Sequence, residues 1–246
     1  MSITNQQSNA SLVVREIRQI IAQLPVDEGS WLTRAEIQEL ATWRAADRRQ
    51  AWLASRWTAK QLILERTSAT GEPIVCLDVE VLSRDSSGKG VRPIVSQNGQ
   101  PWPGTLSISH CGPLVCVFIH TTPNLRVGCD LQSQDRLPPG FQQLWFTDRE
   151  QQHLSGSQYI DAWAAKEAFY KAGNCGEPFQ PRRWQVLPRG KHYACEHVET
   201  KRTATCKMQR TSNAEIAYVL ATCTLDTAPH RAIQSDLQTN ATFVRR

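Results

Sequence analysis

The chain has 246 residues, of which 40% are hydrophobic and 21% charged. This composition excludes a fibrous, collagen-like or disordered protein and predicts a soluble globular one with one large or two small domains. The 28 basic and 23 acidic side chains leave a formal net charge of +5, so we expect an anionic ligand or partner. The eight cysteines form no C-x-x-C pair, residues 1–10 are too polar for a signal peptide, and no stretch is apolar enough to span a membrane; this predicts reduced thiols in a cytoplasmic protein.

The first predicted element is a helix. Apolar residues from Leu12 to Leu24 recur at close to helical spacing, and Pro25 follows as a stop, although Leu12-Val13-Val14 could also begin a strand. A capping box, Thr33-Arg34-Ala35-Glu36, then begins a helical region that we expect to run to about Glu65 with a break near residue 47. From residue 44 to 60 this region combines a basic face with interleaved tryptophans, so one face should pack and the other should meet solvent or an anion.

From residue 74 onward the sequence alternates between strand and helix character. The turn at residues 121–124 predicts a hairpin between the two apolar strands on either side of it. The predicted elements are strands at Ile74–Leu82, Thr105–Ser109, Leu114–His120 and Leu125–Gln132, helices at Thr147–Leu154 and Tyr159–Ala172, and four further strands between residues 184 and 225. This order predicts an α+β fold of two halves that meet near residue 125.

Two carboxylates are candidates for binding a hard cation. Asp130 ends the apolar strand Val127-Gly128-Cys129, where a carboxylate is commonly a turn residue but could also bind Mg²⁺. Glu167 is the best second carboxylate, because Lys166 and Lys171 on the same helix could neutralise the phosphates that share the metal. The simpler alternative is an i,i+4 pair between Glu167 and Lys171 on a solvated helix.

Further basic residues have both a structural and a phosphate-binding interpretation. His110, at the end of a strand, is either a hydrogen-bonded structural residue or a donor to phosphate. Arg49, Arg56 and Lys60 are either solvated helix charges or part of an anion site. Neither a Walker A sequence nor G-x-G-x-x-G occurs, so the sequence does not support a P-loop or a Rossmann nucleotide site.

Two motifs, in order and at a characteristic separation, carry a resemblance to a known family. Val127-Gly128-Cys129-Asp130 followed by Trp163-Ala164-Ala165-Lys166-Glu167-Ala168-Phe169-Tyr170-Lys171 resembles the signature of the 4′-phosphopantetheinyl transferases, (V/I)-G-(V/I)-D and W-x-x-K-E-x-x-x-K. The segment Arg49–Arg56 is similar to the arginine-bearing helix of the larger, Sfp-type members. Three further segments agree with the family pattern: Ser107–His110, Phe146–Glu150 and Gly90-Val91-Arg92-Pro93. The resemblance spans about Leu32 to Leu225.

The resemblance implies two similar α+β halves that form a pseudo-dimer, with Mg²⁺ and coenzyme A in the cleft between them. Residues 1–125 would face the nucleotide and its 3′-phosphate, residues 126–225 would face the metal and the pyrophosphate, and residues 226–246 would be a flexible tail. The implied reaction transfers 4′-phosphopantetheine from coenzyme A to a serine of an apo acyl, peptidyl or aryl carrier protein and releases adenosine 3′,5′-bisphosphate. The implied partner is an acidic carrier protein rather than nucleic acid or a membrane, and the implied state is a monomer.

The resemblance also implies roles for individual residues. Asp130 and Glu167 would bind Mg²⁺, and Gln132, where many members have Glu, would offer a neutral third oxygen. Glu167 would be the catalytic base, with Glu150 as the second candidate. Lys166 and Lys171 would contact the pyrophosphate, and Lys171 would also belong to the catalytic set. The nucleotide and its 3′-phosphate would be contacted by Arg49, Arg56, Ser109 and His110. Arg92 and Pro93 would contact adenine. The adenine-side motif stays open, because Gly99-Gln100-Pro101 is a competing alignment.

Other classes of function compete with this interpretation. A basic nucleic-acid-binding protein could use Arg44–Lys60 and Arg182–Arg210. A catalytically degenerate scaffold could bind the carrier protein without modifying it. A cysteine hydrolase could use Cys111 or Cys129 with a histidine, but Cys111 and the adjacent His110 should point to opposite faces of a strand. A zinc site from Cys111, Cys116 and His120 would be poorly spaced.

Overall fold

The computed structural model describes residues 3–7, 9–67, 74–85, 87–135, 137–174, 176–212 and 216–227. Within these ranges the α-helices are α1 (Ile17–Ile21), α2 (Arg34–Leu40), α3 (Ala46–Thr67), α4 (Phe141–Trp145), α5 (Asp148–His153) and α6 (Gln158–Gly173). The strands are β1 (Ile3–Gln7), β2 (Ala10–Glu16), β3 (Val79–Arg84), β4 (Gly90–Gln97), β5 (Gln100–Pro101), β6 (Thr105–Cys111), β7 (Leu114–His120), β8 (Leu125–Ser133), β9 (Trp184–Arg189), β10 (His192–His197), β11 (Thr203–Ser212) and β12 (Ala217–Asp226). The chain is therefore a mixed α+β protein, as predicted. Almost all of the predicted tail, from residue 228 onward, lies outside the described residues.

The strands form antiparallel sheets whose order repeats along the chain. The described sheets are β1-β2-β7-β6, β3-β4-β5 and β8-β12-β11-β10-β9. The N-terminal half comprises β1 to β7 and the C-terminal half β8 to β12. The strand order β2-β7-β6 in the first half corresponds to β8-β12-β11 in the second, and the pair β4-β3 corresponds to β10-β9. Helix α3 packs on the first series and α6 on the second. This repeated order is the arrangement that a pseudo-dimer requires.

A buried ion pair ties the helices of the C-terminal half to its sheet. Thr147 and Glu150 form a capping box at the start of α5. The Lys166 ammonium on α6 donates to Glu150 Oε1 at 2.6 Å and to the Pro181 carbonyl at 2.9 Å. The backbone N–H of Val186 on β9 donates to the same carboxylate at 2.8 Å. One carboxylate thus joins α5, α6 and β9.

The N-terminal half contains the same device. Thr33 and Glu36 form the predicted capping box at the start of α2. The Lys60 ammonium on α3 donates to Glu36 Oε2 at 2.6 Å and to the Trp31 carbonyl at 2.7 Å, and the Val81 N–H on β3 donates to Glu36 Oε1 at 2.9 Å. Both charged side chains are fully buried. Lys60, considered above as a possible surface cation, is therefore an internal structural residue.

An apolar cluster joins the two halves. It combines residues of β2 and β7 with residues of β8 and β12. Its buried members are Leu12, Val14, Leu114, Cys116, Phe118, Val127, Cys129, Leu131, Tyr218 and Leu220. Because burial of apolar area is the main favourable contribution to such an interface, the halves are held together by a continuous core.

Two element predictions are wrong, and in both cases strand pairing with distant parts of the chain overrides a local pattern. The predicted helix from Leu12 to Leu24 is strand β2 followed by the short helix α1. Leu12, Val13 and Val14 are all buried because β2 lies between β1 and β7 with both faces covered, so its apolar residues are consecutive instead of alternating. The predicted hairpin between β7 and β8 does not form: β7 pairs with β2 and β6, whereas β8 pairs with β12.

The other predicted elements agree closely with the structure, whereas β1, β4, β5 and α4 were not predicted. The break near residue 47 separates α2 from α3, and α5 and α6 lie where they were expected. The predicted strand from Ile74 begins later, at Val79, after a 3₁₀ turn at Cys76–Asp78. The seven described cysteines are free thiols. Among the helices of the described ranges, none has the length and apolarity needed to cross a membrane.

We expect Lys60→Met to lower the free energy of unfolding by about 3–5 kcal/mol, because it leaves the buried Glu36 carboxylate without its cation. Urea denaturation measures the change. The matched control is Lys201→Met, which removes an exposed ion pair with Glu196 at 3.1 Å and should cost less than about 1 kcal/mol. Equal effects of the two substitutions would contradict a structural role for the buried pair.

Candidate active site

A cleft of about 340 Å³ lies between the two halves. Its described lining carries four Arg or Lys side chains and no Asp or Glu, so it suits an anionic ligand. The lining residues are Arg48, Trp52, Ser55 and Arg56 of α3, Gly90, Val91, Arg92 and Pro93 of β4, Ser107, Ile108 and His110 of β6, Tyr170 and Lys171 of α6, and Trp43, Ser83 and Asn174.

Beside the cleft, the edges of two different sheets are joined by serine hydroxyls. Strand β6 ends the N-terminal sheet and β8 begins the C-terminal one. The Cys129 N–H donates to Ser107 Oγ at 2.9 Å, and the Leu131 N–H donates to Ser109 Oγ at 3.2 Å. Asp130 lies between these two N–H groups in β8. Its carboxylate is therefore fixed at the seam between the halves.

The structure brings the predicted carboxylates and one lysine together at this seam. Asp130 Oδ1 accepts hydrogen bonds from Ser109 Oγ at 2.9 Å and from Lys171 Nζ at 2.5 Å, and Oδ2 accepts one from Gln132 Nε2 at 2.7 Å. Lys171 Nζ lies 3.8 Å from Glu167 Oε2. Asp130 is almost fully buried, whereas Glu167 and Lys171 are each about a quarter exposed. Ser109 thus orients Asp130 and does not line the cleft, where it was predicted to contact the nucleotide.

The charges of this cluster shift one another's pKa. Burial, together with the nearby charge of Asp130, raises the pKa of Glu167 to about 8, although Lys171 and a hydrogen bond from Trp163 oppose the shift. Burial alone would lower the pKa of Lys171, but the charges of Asp130 and Glu167 outweigh it and hold the pKa above its usual value. Two adjacent carboxylates therefore compete for cations in a partly desolvated site.

The donor set of this cluster fits Mg²⁺. Two carboxylates with a neighbouring amide oxygen match the one or two carboxylates that proteins combine with phosphate oxygens and water. Lys171 Nζ lies 2.5 Å from Asp130 Oδ1 and 3.8 Å from Glu167 Oε2, so both carboxylates already face one cation. Within the described ranges no group of three or more His, Cys, Asp or Glu residues could hold a metal, so the alternative zinc site is not supported.

The placement of Lys166 and Glu150 corrects their predicted roles. Both side chains are fully buried in the ion pair between α5 and α6. The Lys166 ammonium donates hydrogen bonds to the Glu150 carboxylate and to the Pro181 carbonyl. The Glu150 carboxylate also accepts hydrogen bonds from the backbone N–H groups of Thr147 and Val186. Neither group lines the cleft, so Lys166 has no path to a pyrophosphate and Glu150 has none to a substrate proton. Burial lowers the pKa of Lys166 despite its carboxylate partner.

The two candidate segments for the adenine side lie in different places. Arg92 and Pro93 line the cleft, whereas Gln100 and Pro101 form the exposed strand β5. The structure therefore favours the first of the two alignments. His110 also lines the cleft. Its pKa is lowered mainly by desolvation and further by the positive charges of Arg48 and Lys171.

The two predicted arginines of α3 lie in different surroundings. Arg56 lines the cleft but is nearly fully buried, and its guanidinium donates to the Val81 carbonyl and to Glu39. Arg49 forms an ion pair with Glu28 at 2.8 Å and does not line the cleft. The exposed arginine of α3 that does line it is Arg48, which sequence reasoning did not select. The signal was present, because Arg48, Trp52 and Arg56 recur every four residues and share one helix face.

Trp43, Tyr170 and Asn174 are among the cleft residues that were not predicted as site residues. Trp43 lies in the irregular segment between α2 and α3, and the Arg84 guanidinium stacks on its indole ring at 5.3 Å. The Tyr170 hydroxyl donates to the Glu177 carbonyl and accepts from Asn174 Nδ2, each at 2.8 Å. Neither Trp43 nor Asn174 lies in a motif, so only the tertiary structure identifies them.

The cysteine hydrolase alternative has no support in the structure. Cys129 is fully buried, with its thiol directed to the Ser107 carbonyl at 3.4 Å. Burial raises the pKa of Cys111, which disfavours the reactive thiolate. The chemistry of this region therefore rests on carboxylates and an ammonium.

We expect Glu167→Gln to stabilise the protein at alkaline pH. A carboxyl group with a folded-state pKa of about 8 binds more protons in the folded than in the unfolded state, so its contribution to stability falls as pH rises from about 5 to 8. The variant should match the wild type at pH 5 and exceed its free energy of unfolding by about 1–2 kcal/mol at pH 8.5. Denaturation at both pH values measures this; the exposed Glu65→Gln is the control, and equal pH profiles of all three proteins would contradict the raised pKa.

Comparison with known proteins agrees with this geometry. Residues 126–223, about two fifths of the chain, match the family model described as the 4′-phosphopantetheinyl transferase superfamily. The matched segment contains Asp130, Gln132, Glu167 and Lys171. A search of curated proteins found no match. The C-terminal half of the chain is thus similar, over residues 126–223, to the 4′-phosphopantetheinyl transferase superfamily.

Proposed function

We propose that this protein transfers the 4′-phosphopantetheine group from coenzyme A to a serine of an apo carrier protein. The observation that carries the proposal is the Asp130–Glu167–Lys171 cluster, which lies at the edge of a basic cleft between two halves. Two halves within one chain support assignment to the larger, Sfp-type members that act as monomers. An acidic acyl, peptidyl or aryl carrier protein is the proposed partner, and the excess of basic residues in the chain is in keeping with that charge.

The cleft supports binding of the nucleotide part of coenzyme A. Arg48 and His110 present donors for the 3′-phosphate, and Arg92 and Pro93 lie on the β4 wall, where we propose that adenine binds. Trp43 offers an aromatic surface beside them. Arg56 supports this wall from within, because its guanidinium joins α3 to α2 and β3 through Glu39, Val81 and Ser83.

The transfer needs a base, charge neutralisation and alignment. In the proposed step the serine oxygen of the carrier protein forms a bond to the β-phosphorus of coenzyme A, and the bond from this phosphorus to the bridging oxygen breaks. The serine proton passes to Glu167, and adenosine 3′,5′-bisphosphate leaves. Lys171 neutralises charge on the pyrophosphate, which is the main contribution that a protein makes to phosphoryl transfer.

We propose Mg²⁺ as the metal of this site, held by Asp130 and Glu167 with Gln132 beside them. When bound, it supplies charge neutralisation to the pyrophosphate oxygens. Gln132 orients Asp130 through its amide N–H, so we expect a metal site with two carboxylates where many members of the family have three.

No observation favours the nucleic-acid alternative over this proposal. Trp52 is buried with its indole N–H donated to Glu39 at 2.7 Å, and Trp57 packs edge-on against Trp31 at 5.3 Å. These rings are therefore not free to stack on bases. A carrier-binding scaffold without activity differs from the proposed enzyme only in the outcome of an assay.

We expect the purified protein with coenzyme A and Mg²⁺ to add one phosphopantetheine mass to at least one of a panel of apo acyl, peptidyl and aryl carrier proteins. Intact-mass spectrometry measures the product. Asp130→Asn and Glu167→Gln should each lower the rate by at least about 100-fold, since both change the charge at the reacting phosphates. Glu65→Gln, on an exposed face of α3, is the matched control. Carrier binding without transfer would support the inactive scaffold.

We expect Arg48→Ala and Arg49→Ala to differ, because only Arg48 lines the cleft. The first should raise the KM for coenzyme A by about tenfold, the effect of losing one charge-assisted phosphate contact. The second should leave the KM within about twofold of the wild type, since it removes only a surface pair. Dephospho-coenzyme A, which lacks the 3′-phosphate, should abolish the difference; an equal loss in both variants would contradict the proposed nucleotide site.

A further inference from the structure

The Asp130 carboxylate already accepts three hydrogen bonds from side chains of the protein itself. One oxygen accepts from Ser109 and Lys171, and the other accepts from Gln132. Lys171 Nζ lies 2.5 Å from Asp130 Oδ1 and 3.8 Å from Glu167 Oε2, so a metal ion shared by both carboxylates would displace a donor from the space between them. Which donor leaves determines what metal binding does to the rest of the site.

Lys171 is the donor best suited to leave. Ser109 is buried, and its hydroxyl also accepts the Leu131 N–H, so its departure would break the seam between β6 and β8. Gln132 is neutral and can stay beside a cation. Lys171 carries the positive charge that a metal would replace, and its side chain is about a quarter exposed.

Lys171 also has a destination. Its side chain lines the basic cleft as well as contacting Asp130 and Glu167, and a four-carbon stem lets the ammonium move between the two positions. In the cleft the ammonium would join Arg48 and Arg92, where repulsion between cations disfavours it unless an anion is bound. A phosphate group in the cleft would remove this repulsion.

We propose, on the basis of the function proposed above, that Lys171 is an internal cation that competes with the metal for Asp130 and Glu167 and moves onto the phosphates of coenzyme A when the metal binds. Metal and coenzyme A then bind with positive cooperativity, because the metal releases Lys171 for the phosphates, and the phosphates give the displaced ammonium a partner. Linkage makes the effect reciprocal: coenzyme A tightens metal binding by the same factor as the metal tightens coenzyme A binding.

The test measures Mn²⁺ binding to the full chain by calorimetry, with and without coenzyme A and with no carrier protein present. Lys171→Gln removes the charge but keeps a hydrogen-bond donor for Asp130, so Mn²⁺ alone should bind about tenfold more tightly than to the wild type. Lys171→Arg keeps the charge, so its affinity for Mn²⁺ should not exceed that of the wild type. A purely structural role of Lys171 would weaken binding in both variants. Lys191→Gln, at the exposed β9–β10 turn, is the control.

The ratio of the coenzyme A dissociation constants without and with Mn²⁺ is the second readout. It should be larger for the wild type than for Lys171→Gln. Equal or weaker Mn²⁺ binding by Lys171→Gln would overturn the competition while leaving the proposed function intact. Failure of Mn²⁺ to bind any of the proteins, even with coenzyme A, would overturn the proposed metal site and this inference together.

Discussion

At Gly128 the backbone of β8 lies directly against α6, and only a hydrogen atom fits between them. A Cβ atom there would stand 1.8 Å from the Ala168 carbonyl oxygen and 2.7 Å from the Ala172 nitrogen. The matching face of α6 is built from alanines that are fully buried. This close approach brings Glu167 and Lys171, one helical turn apart, within reach of Asp130. Because any larger residue at position 128 would push the helix away, the carboxylate cluster depends on this contact.

The same helix serves stability and chemistry with adjacent residues. Lys166 and Glu167 are neighbours in sequence, but they are separated by about 100° around the helix axis and point to different partners. Lys166 enters the interior and holds α5 and β9 through Glu150, whereas Glu167 faces Asp130. The structural ion pair thus fixes the rotation of α6, and this rotation sets the position of the chemical groups.

The internal repeat indicates why α3 does not repeat the charge pattern that α6 brings to the Asp130–Glu167–Lys171 cluster. Lys60 of α3 occupies the place of Lys166, with Glu36 in the place of Glu150. The positions that correspond to Glu167 and Lys171 are then Gln61 and Glu65, so the charge pattern needed beside a carboxylate is missing. The N-terminal half contains the ion pair that stabilises the repeat, and it contributes a basic wall to the cleft instead of a second carboxylate–lysine cluster.

Local patterns predicted much of this structure, and long-range contacts account for the differences. The capping box at Thr33 and the extent of α6 follow from motifs and periodicity, whereas the pairing of Asp130 with Glu167 was a hypothesis from charge and from the family resemblance. The burial of Lys166 could not be predicted, because a lysine on a helix arc gives no sign of a carboxylate 16 residues away in sequence. The separation of β7 from β8 depends on pairing across the chain, which a turn signal does not encode.

We propose that Asp130 and Glu167 share one divalent cation at the edge of a cleft that holds coenzyme A. A crystal structure of the protein with Mn²⁺ and coenzyme A, with data collected at the manganese absorption edge, tests it most directly. We expect an anomalous peak about 2.1 Å from oxygens of both carboxylates, with the nucleotide against Arg48 and Arg92. A manganese peak away from Asp130, or coenzyme A bound outside the cleft, would contradict it.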